Sequence, residues 1–133
     1  MANSRYVRGL DQAKAANQKV VRKVNHATAG VMYRMQTEVI TASKTVPPTI
    51  PVDTGDLRSS ATVELPVITP TRISVVSGVG GGAQDYAEIQ HENADFKHDG
   101  EGEGAFFLST PFARICGNPA PRIAREVAAE LGL

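Results

Sequence analysis

The strongest constraint on this chain is one helical pattern that is too long for a globule of its size. From residue 5 to about residue 45, Val7, Leu10, Ala13, Val20, Val24, Ala27, Val31, Met35, Val39 and Ala42 recur at spacings of three, four or seven, the period of one face of an α-helix. Ala, Lys, Gln and Arg, all good helix formers, dominate the other positions. Asn3 or Ser4 is available as a cap, and Pro47 with Pro48 ends the run. About 40 residues at 1.5 Å each span roughly 60 Å. A compact globule of 133 residues is only about 36 Å across. Either the helix breaks near Asn25 to Gly30, with Gly30 as the weak point, or part of it projects and packs on a neighbour.

The decapeptide "PVDTGDLRSS", residues 51 to 60, turns the chain out of this helix. Asp53 is placed to accept the N–H groups that follow it, Gly55 allows a positive φ, and Asp56 sits where a capping partner belongs. Leu57 is expected in the core and Arg58 pointing outward. Next, "ATVELPVI" and "RISVVSGV" read as a hairpin closed by "TPT", with Val63, Leu65 and Val67 on one face of the first strand and Ile73 and Val75 on one face of the second. Pro66 cannot donate to a ladder, so the strand should end there or keep that edge free. A "GVGGGAQ" joint leads to a short helix capped by Asp85, then to a loop. "AFFLS" is a candidate third strand, and Thr110–Pro111 and Asn118–Pro119 each read as a cap followed by a first helical turn. The final helix carries an apolar stripe of Ile123, Val127 and Leu131, with Arg122 and Glu126 as an ion pair on its outside. The expected fold class is α+β: a long N-terminal helix and a C-terminal helix packed on a small antiparallel sheet. Residues 1–133 form one domain, divided into 1–47, 48–110 and 111–133.

Charge is balanced overall and unevenly placed. Residues 1–44 carry eight Lys and Arg against Asp11 and Glu38, whereas residues 85–103 carry seven Asp and Glu against Lys97. Either these are two solvated faces, or they attract copies of the chain head to tail and favour ring formation. No apolar run approaches a membrane span, and "MANSRYVRG" lacks the apolar stretch of a secretory signal, so synthesis in the cytoplasm is expected. A single cysteine, Cys116, excludes an intramolecular disulfide and reads as a small buried residue.

The candidate reactive sites are weak. Thr54, Ser59 and Ser60 have no histidine close in sequence to act as a base. The letters D-T-G also occur in aspartic proteases, but there they sit in an all-β fold and not behind a long helix. "GVGGGA", residues 78–83, formally fits a nucleotide-loop pattern, yet no further parallel strands follow and Asp85 would repel phosphate. His91, Glu92, Asp95, His98 and Asp99 could supply metal ligands for a small hydrolase, although their spacing matches no H-E-x-x-H pattern. No cofactor is expected, and a neutral chain without an aromatic platform argues against sequence-specific nucleic-acid binding.

Taken in order, "PVDTGDLRSS", a hairpin, "YAEIQHEN" with "FKH" and a Gly-rich loop, then "AFFLSTPF" before a last helix, resemble the tail-completion and minor capsid (neck) proteins of long-tailed bacteriophages. The likeness runs over roughly residues 30 to 131. Pro51, Asp53, Thr54, Gly55, Leu57 and Arg58 match that family's turn. Tyr86, Ala87, His91 and Glu92 match its second motif, and Phe107 with Leu108 its third. The resemblance implies a non-enzymatic virion subunit, usually hexameric, in a ring that joins head to tail as a terminator, completion factor or stopper. Neighbouring connector and tail-tube proteins would be its partners, and genomic DNA would pass through its channel. On this view Arg22, Lys23 and Arg34 of one subunit meet Asp95, Glu101 and Glu103 of the next, and the hairpin with its glycine joint approaches the lumen.

Overall fold

A computed structural model of the chain describes residues 4–51, 56–80 and 106–133, the side chains of 4–8 and 56 excepted. Helix α1 runs unbroken from Ser4 to Thr45, straight through Gly30. Its C-terminal half is the spine of the fold. Ala27, Val31, Met35, Val39 and Ala42 are buried as their spacing predicts, joined by Ala29, Ile40 and Ser43. The hydroxyl of Ser43, wholly buried, donates to the Ile40 carbonyl at 2.6 Å, so no polar group is stranded there. The Ser43 carbonyl then accepts the Ile50 N–H at 2.7 Å and pins the chain after Pro47 and Pro48 back onto the helix.

The decapeptide works as a clip. Helix α2 is one turn, Asp56–Ser59. Ile50 and Leu57 pack with Phe107 into a cluster edged by Ala61, Val79 and Leu108. Arg58 does not point outward. Its guanidinium folds back to donate twice to the Ile50 carbonyl, at 2.6 and 3.2 Å, because that carbonyl belongs to a fully buried residue and needs a donor. Ser60 donates to the Leu57 carbonyl at 2.6 Å and accepts the Gly80 N–H at 3.0 Å, tying α2 to the far end of the hairpin.

Four two-residue strands form the hairpin: β1 (Thr62–Val63), β2 (Val67–Ile68), β3 (Ile73–Ser74) and β4 (Ser77–Gly78). β1 pairs antiparallel with β4, Val63 opposite Ser77, and β2 pairs antiparallel with β3, Ile68 opposite Ile73. The Glu64 N–H extends the first ladder to the Val76 carbonyl at 2.8 Å. Between Glu64 and Val67 lie Leu65 and Pro66, and only Val75 lies opposite them. The extra residue is a bulge at the proline that cannot donate, and it shifts the in–out alternation by one. The expected inward row of Val63, Leu65 and Val67 is therefore broken. Leu65 is 79 % exposed and Val67 56 %, while Pro66 turns to the partly buried side.

Phe106 to Leu108 form a turn and not a third strand, with Phe106 at a positive φ of 61° and Phe107 fully buried. A left-handed residue cannot continue a strand, and the following N–H groups already belong to helix α3 (Ser109–Cys116). α3 begins before the expected Thr110–Pro111 start. Pro111 sits in its first turn, where a missing N–H removes no helical bond. The C-terminal segment is two helices. Helix α4 (Pro119–Glu130) is separate from α3, with Pro119 at its first position, and the Asn118 side chain makes no capping bond.

Both α3 and α4 pack on α1. Arg122 is not on the outside of α4. It clamps both Glu38 carboxylate oxygens, at 2.5 and 2.8 Å, and also Glu126 at 2.5 Å. The Glu38 carboxyl is held below its ordinary value of 4.5, chiefly by the Arg122 hydrogen bonds and against its partial desolvation. Because folding depresses this pKa, the ionised form is the one favoured. The gain is complete above 4.5 and fades as pH falls through the lower folded-state value. With Glu38 about half exposed, wild type should exceed Glu38→Gln by about 0.5–1 kcal/mol at neutral pH. Thermal melts should show that gap narrowing as pH falls below 4.5; a gap that stays constant contradicts the account.

Candidate functional site

Residues 9–24 of α1 are exposed along their whole length. Seven-residue steps place Leu10, Asn17, Val24 and Val31 along one helix face with a drift of only about 20° per step. The stripe that is buried at Val31 therefore continues, exposed among the described residues, through Val24, Val20 and Val21 to Leu10, which is 70 % exposed. Of the two readings of the over-long pattern, the helix projects. Lys14, Lys19, Arg22 and Lys23 flank the stripe, with Asp11 the single acid of this stretch. Where α4 ends, Lys19, Arg22, Lys23 and His26 line an open cavity of about 420 Å³ against Glu130 and Leu131.

A second apolar surface lies at the other end of the fold. Val75 and Val76 of the hairpin, Leu108 and Phe112 at α3, and Val39 of α1 line an open groove of about 380 Å³. Val76 is 55 % exposed. The polar groups of its floor are engaged: the Ser77 hydroxyl donates to the Gln36 amide oxygen at 2.6 Å, and the Gln36 amide nitrogen approaches the Cys116 sulfur at 3.9 Å. Burial pushes the Cys116 thiol up, with the Arg122 charge opposing, so this sulfur is a poor nucleophile.

Among the expected site residues, Pro51 and Leu57 are buried and Arg58 is a structural donor, so these three build the clip. Asp56 opens α2. Arg22 and Lys23 are exposed on the projecting helix. Arg34 faces α4, its guanidinium 3.7 Å from Glu126 and 3.9 Å from Glu130. Asp53, Thr54, Gly55, Tyr86, Ala87, His91, Glu92, Asp95, His98, Asp99, Glu101 and Glu103 lie outside the described residues. Among the described residues, no group of three His, Cys, Asp or Glu is placed to hold a metal ion, and no helix is long and apolar enough to cross a membrane.

What the arrangement can do chemically is bind, through two apolar surfaces of which one is strongly cationic at its flanks. Sequence reasoning missed the groove, because its walls come from three separated segments. Val76 and Phe112 carry no local signal that they meet. Compared with known protein families, curated proteins and solved structures, the chain finds no match.

Proposed function

We propose that this chain is a structural subunit that assembles with copies of itself into a ring. The observation that carries the reading is the exposed stretch of α1, with Leu10, Val20, Val21 and Val24 open among the described residues between cationic flanks. A contiguous apolar surface rimmed by charge is the mark of an interaction site. The anionic complement is in the same sequence, in the seven acids of residues 85–103. A basic surface and an acidic one on a single chain attract head to tail, and a head-to-tail contact closes a ring when its rotation allows.

The setting is the resemblance to neck proteins of long-tailed phages: a virion ring between head and tail, as terminator or completion factor. In that setting DNA passes a lumen without sequence-specific contact. An acidic lining suits this, since fixed anions repel phosphate whereas cations would hold it.

Size-exclusion chromatography with light scattering should give wild type a mass several times 14.1 kDa, and electron microscopy should show closed rings. Reversing Arg22 and Lys23 together to Glu should shift the population toward smaller species at low salt, and added salt should weaken wild-type assembly as well. A wild-type chain that remains at 14.1 kDa at every concentration refutes the reading.

A further inference from the structure

We propose that α4 is a hinged strap, latched to α1 by charge, which opens when the carboxylates of the latch are neutralised while the rest of the fold stays closed. The strap belongs to the single subunit and stands whether or not copies assemble.

Burial sets α4 apart. No residue of this helix is buried, and its apolar stripe of Ile123, Val127 and Leu131 is only half-buried. The helix before it is anchored differently: Pro111 of α3 is buried, and Phe107 at its entry is fully so. A segment with little buried apolar surface opens at a lower free energy than the core does. Hydrophobic burial is therefore a weak hold on α4.

Charge supplies the hold. Arg122, Glu126 and Glu130 of α4 interlock with Arg34 and Glu38 of α1. Arg122 grips both oxygens of Glu38 and one of Glu126, while Arg34 lies 3.7 Å from Glu126 and 3.9 Å from Glu130. The contacts run from the first turn of α4 to its last residue. Three of the five groups are carboxylates, so protonation leaves two guanidinium groups around Glu126 without counter-charge. Cys116 of α3 is held neutral by burial, and Lys19, Arg22, Lys23 and His26 at the Glu130 end are all basic, so none of these replaces a lost carboxylate. The Arg122 hydrogen bonds hold the Glu38 carboxyl below its ordinary 4.5, so this arm of the latch is intact above 4.5 and is lost as pH falls beneath it.

The joint between α3 and α4 suits a hinge. α3 ends at Cys116 and α4 begins at Pro119, which has no N–H to donate back across the gap. Asn118 makes no side-chain capping bond. At Gly117 a Cβ would collide with the Ala113 carbonyl oxygen, so only glycine lets the last turn of α3 close this tightly. Opening also changes the far end of α4. Glu130 is the one carboxylate lining the cavity of Lys19, Arg22, Lys23 and His26, and Leu131 stands beside it, so a lifted strap bares that cationic face.

Hydrogen exchange at neutral pH, read by mass spectrometry, tests the strap. Glu38→Gln combined with Glu126→Gln reproduces the protonated latch in the same shape. Arg125→Gln, exposed on the same helix and outside the cluster, is the control. Wild type should already exchange faster over residues 119–131 than over residues 31–43. The double variant should speed exchange over 119–131 by about tenfold and leave 31–43 unchanged. In about 1 M sodium chloride, where charges are screened beyond about 3 Å, wild type should move toward the double variant, and the double variant itself should barely respond. Protection lost equally over both segments means that α4 opens only with the whole fold, and overturns the proposal. So does a segment 119–131 that exchanges no faster in the double variant or in salt, or an Arg125→Gln chain that opens as far as the double variant. The salt series needs no substitution, so it decides the question if the double variant does not fold.

Discussion

Replacing Phe107 with alanine should lower the unfolding free energy by about 3–5 kcal/mol, the range for truncating a buried aromatic. Phe107 is fully buried, and the cluster it forms with Ile50 and Leu57 joins three separate pieces of chain: the turn after α1, helix α2, and the entry to α3. Val79 and Leu108 pack on the same cluster, so the cavity would open where hairpin and α3 are fastened together. A small domain has only about 5–15 kcal/mol of net stability, so the variant should sit close to its unfolding midpoint at ordinary temperatures. Urea denaturation is the direct measurement. A loss below about 1 kcal/mol would mean that the cluster does not hold these segments together.

A paired experiment on one helical stripe should give two opposite answers. Met35→Ala, at a position 2 % exposed, should cost about 2–5 kcal/mol. Val20→Ala, fifteen residues earlier on the same helix and more than half exposed, should leave the stability of the isolated subunit within about 0.5 kcal/mol and favour the helix by a few tenths. Both should be measured by denaturant midpoints at the lowest workable concentration, so that association does not add to the stability of the folded state. Equal losses at the two positions would show that residues 9–24 are packed within the subunit.

The outcome of sequence reasoning differed by distance along the chain. Val31, Met35, Val39 and Ala42 could be read because helical period is a local signal, and each lies within four residues of the next. The α+β architecture followed from such signals. The projection of α1 was one of two alternatives left open by length alone, since no residue near Gly30 dictates whether the helix bends. The hairpin was legible, and Pro66 marked its weak point. The direction in which the bulge turns Leu65 and Val67 depends on how many residues lie opposite, which no single strand reveals. Arg122 shows the limit most clearly. Its i, i+4 partner Glu126 was visible in sequence, while Glu38, 84 residues away, draws the guanidinium inward and reverses its expected direction. Arg58 was misjudged for a similar reason, because a charged side chain is drawn to a buried carbonyl that sequence does not mark. The groove, built from α1, the hairpin and α3, left no trace at all in local patterns.

The continuity of α1 bears on how its free end becomes ordered. An isolated stretch of sixteen residues rarely holds a helix in water, since the first turn fixes several torsions in exchange for one hydrogen bond. Here that initiation step is already complete, because the turns around Val31 and Met35 are set by packing and each residue toward Leu10 needs only propagation. The protruding arm is therefore a template-grown extension, and a partner that gripped it would meet a helix already propagated from its packed end.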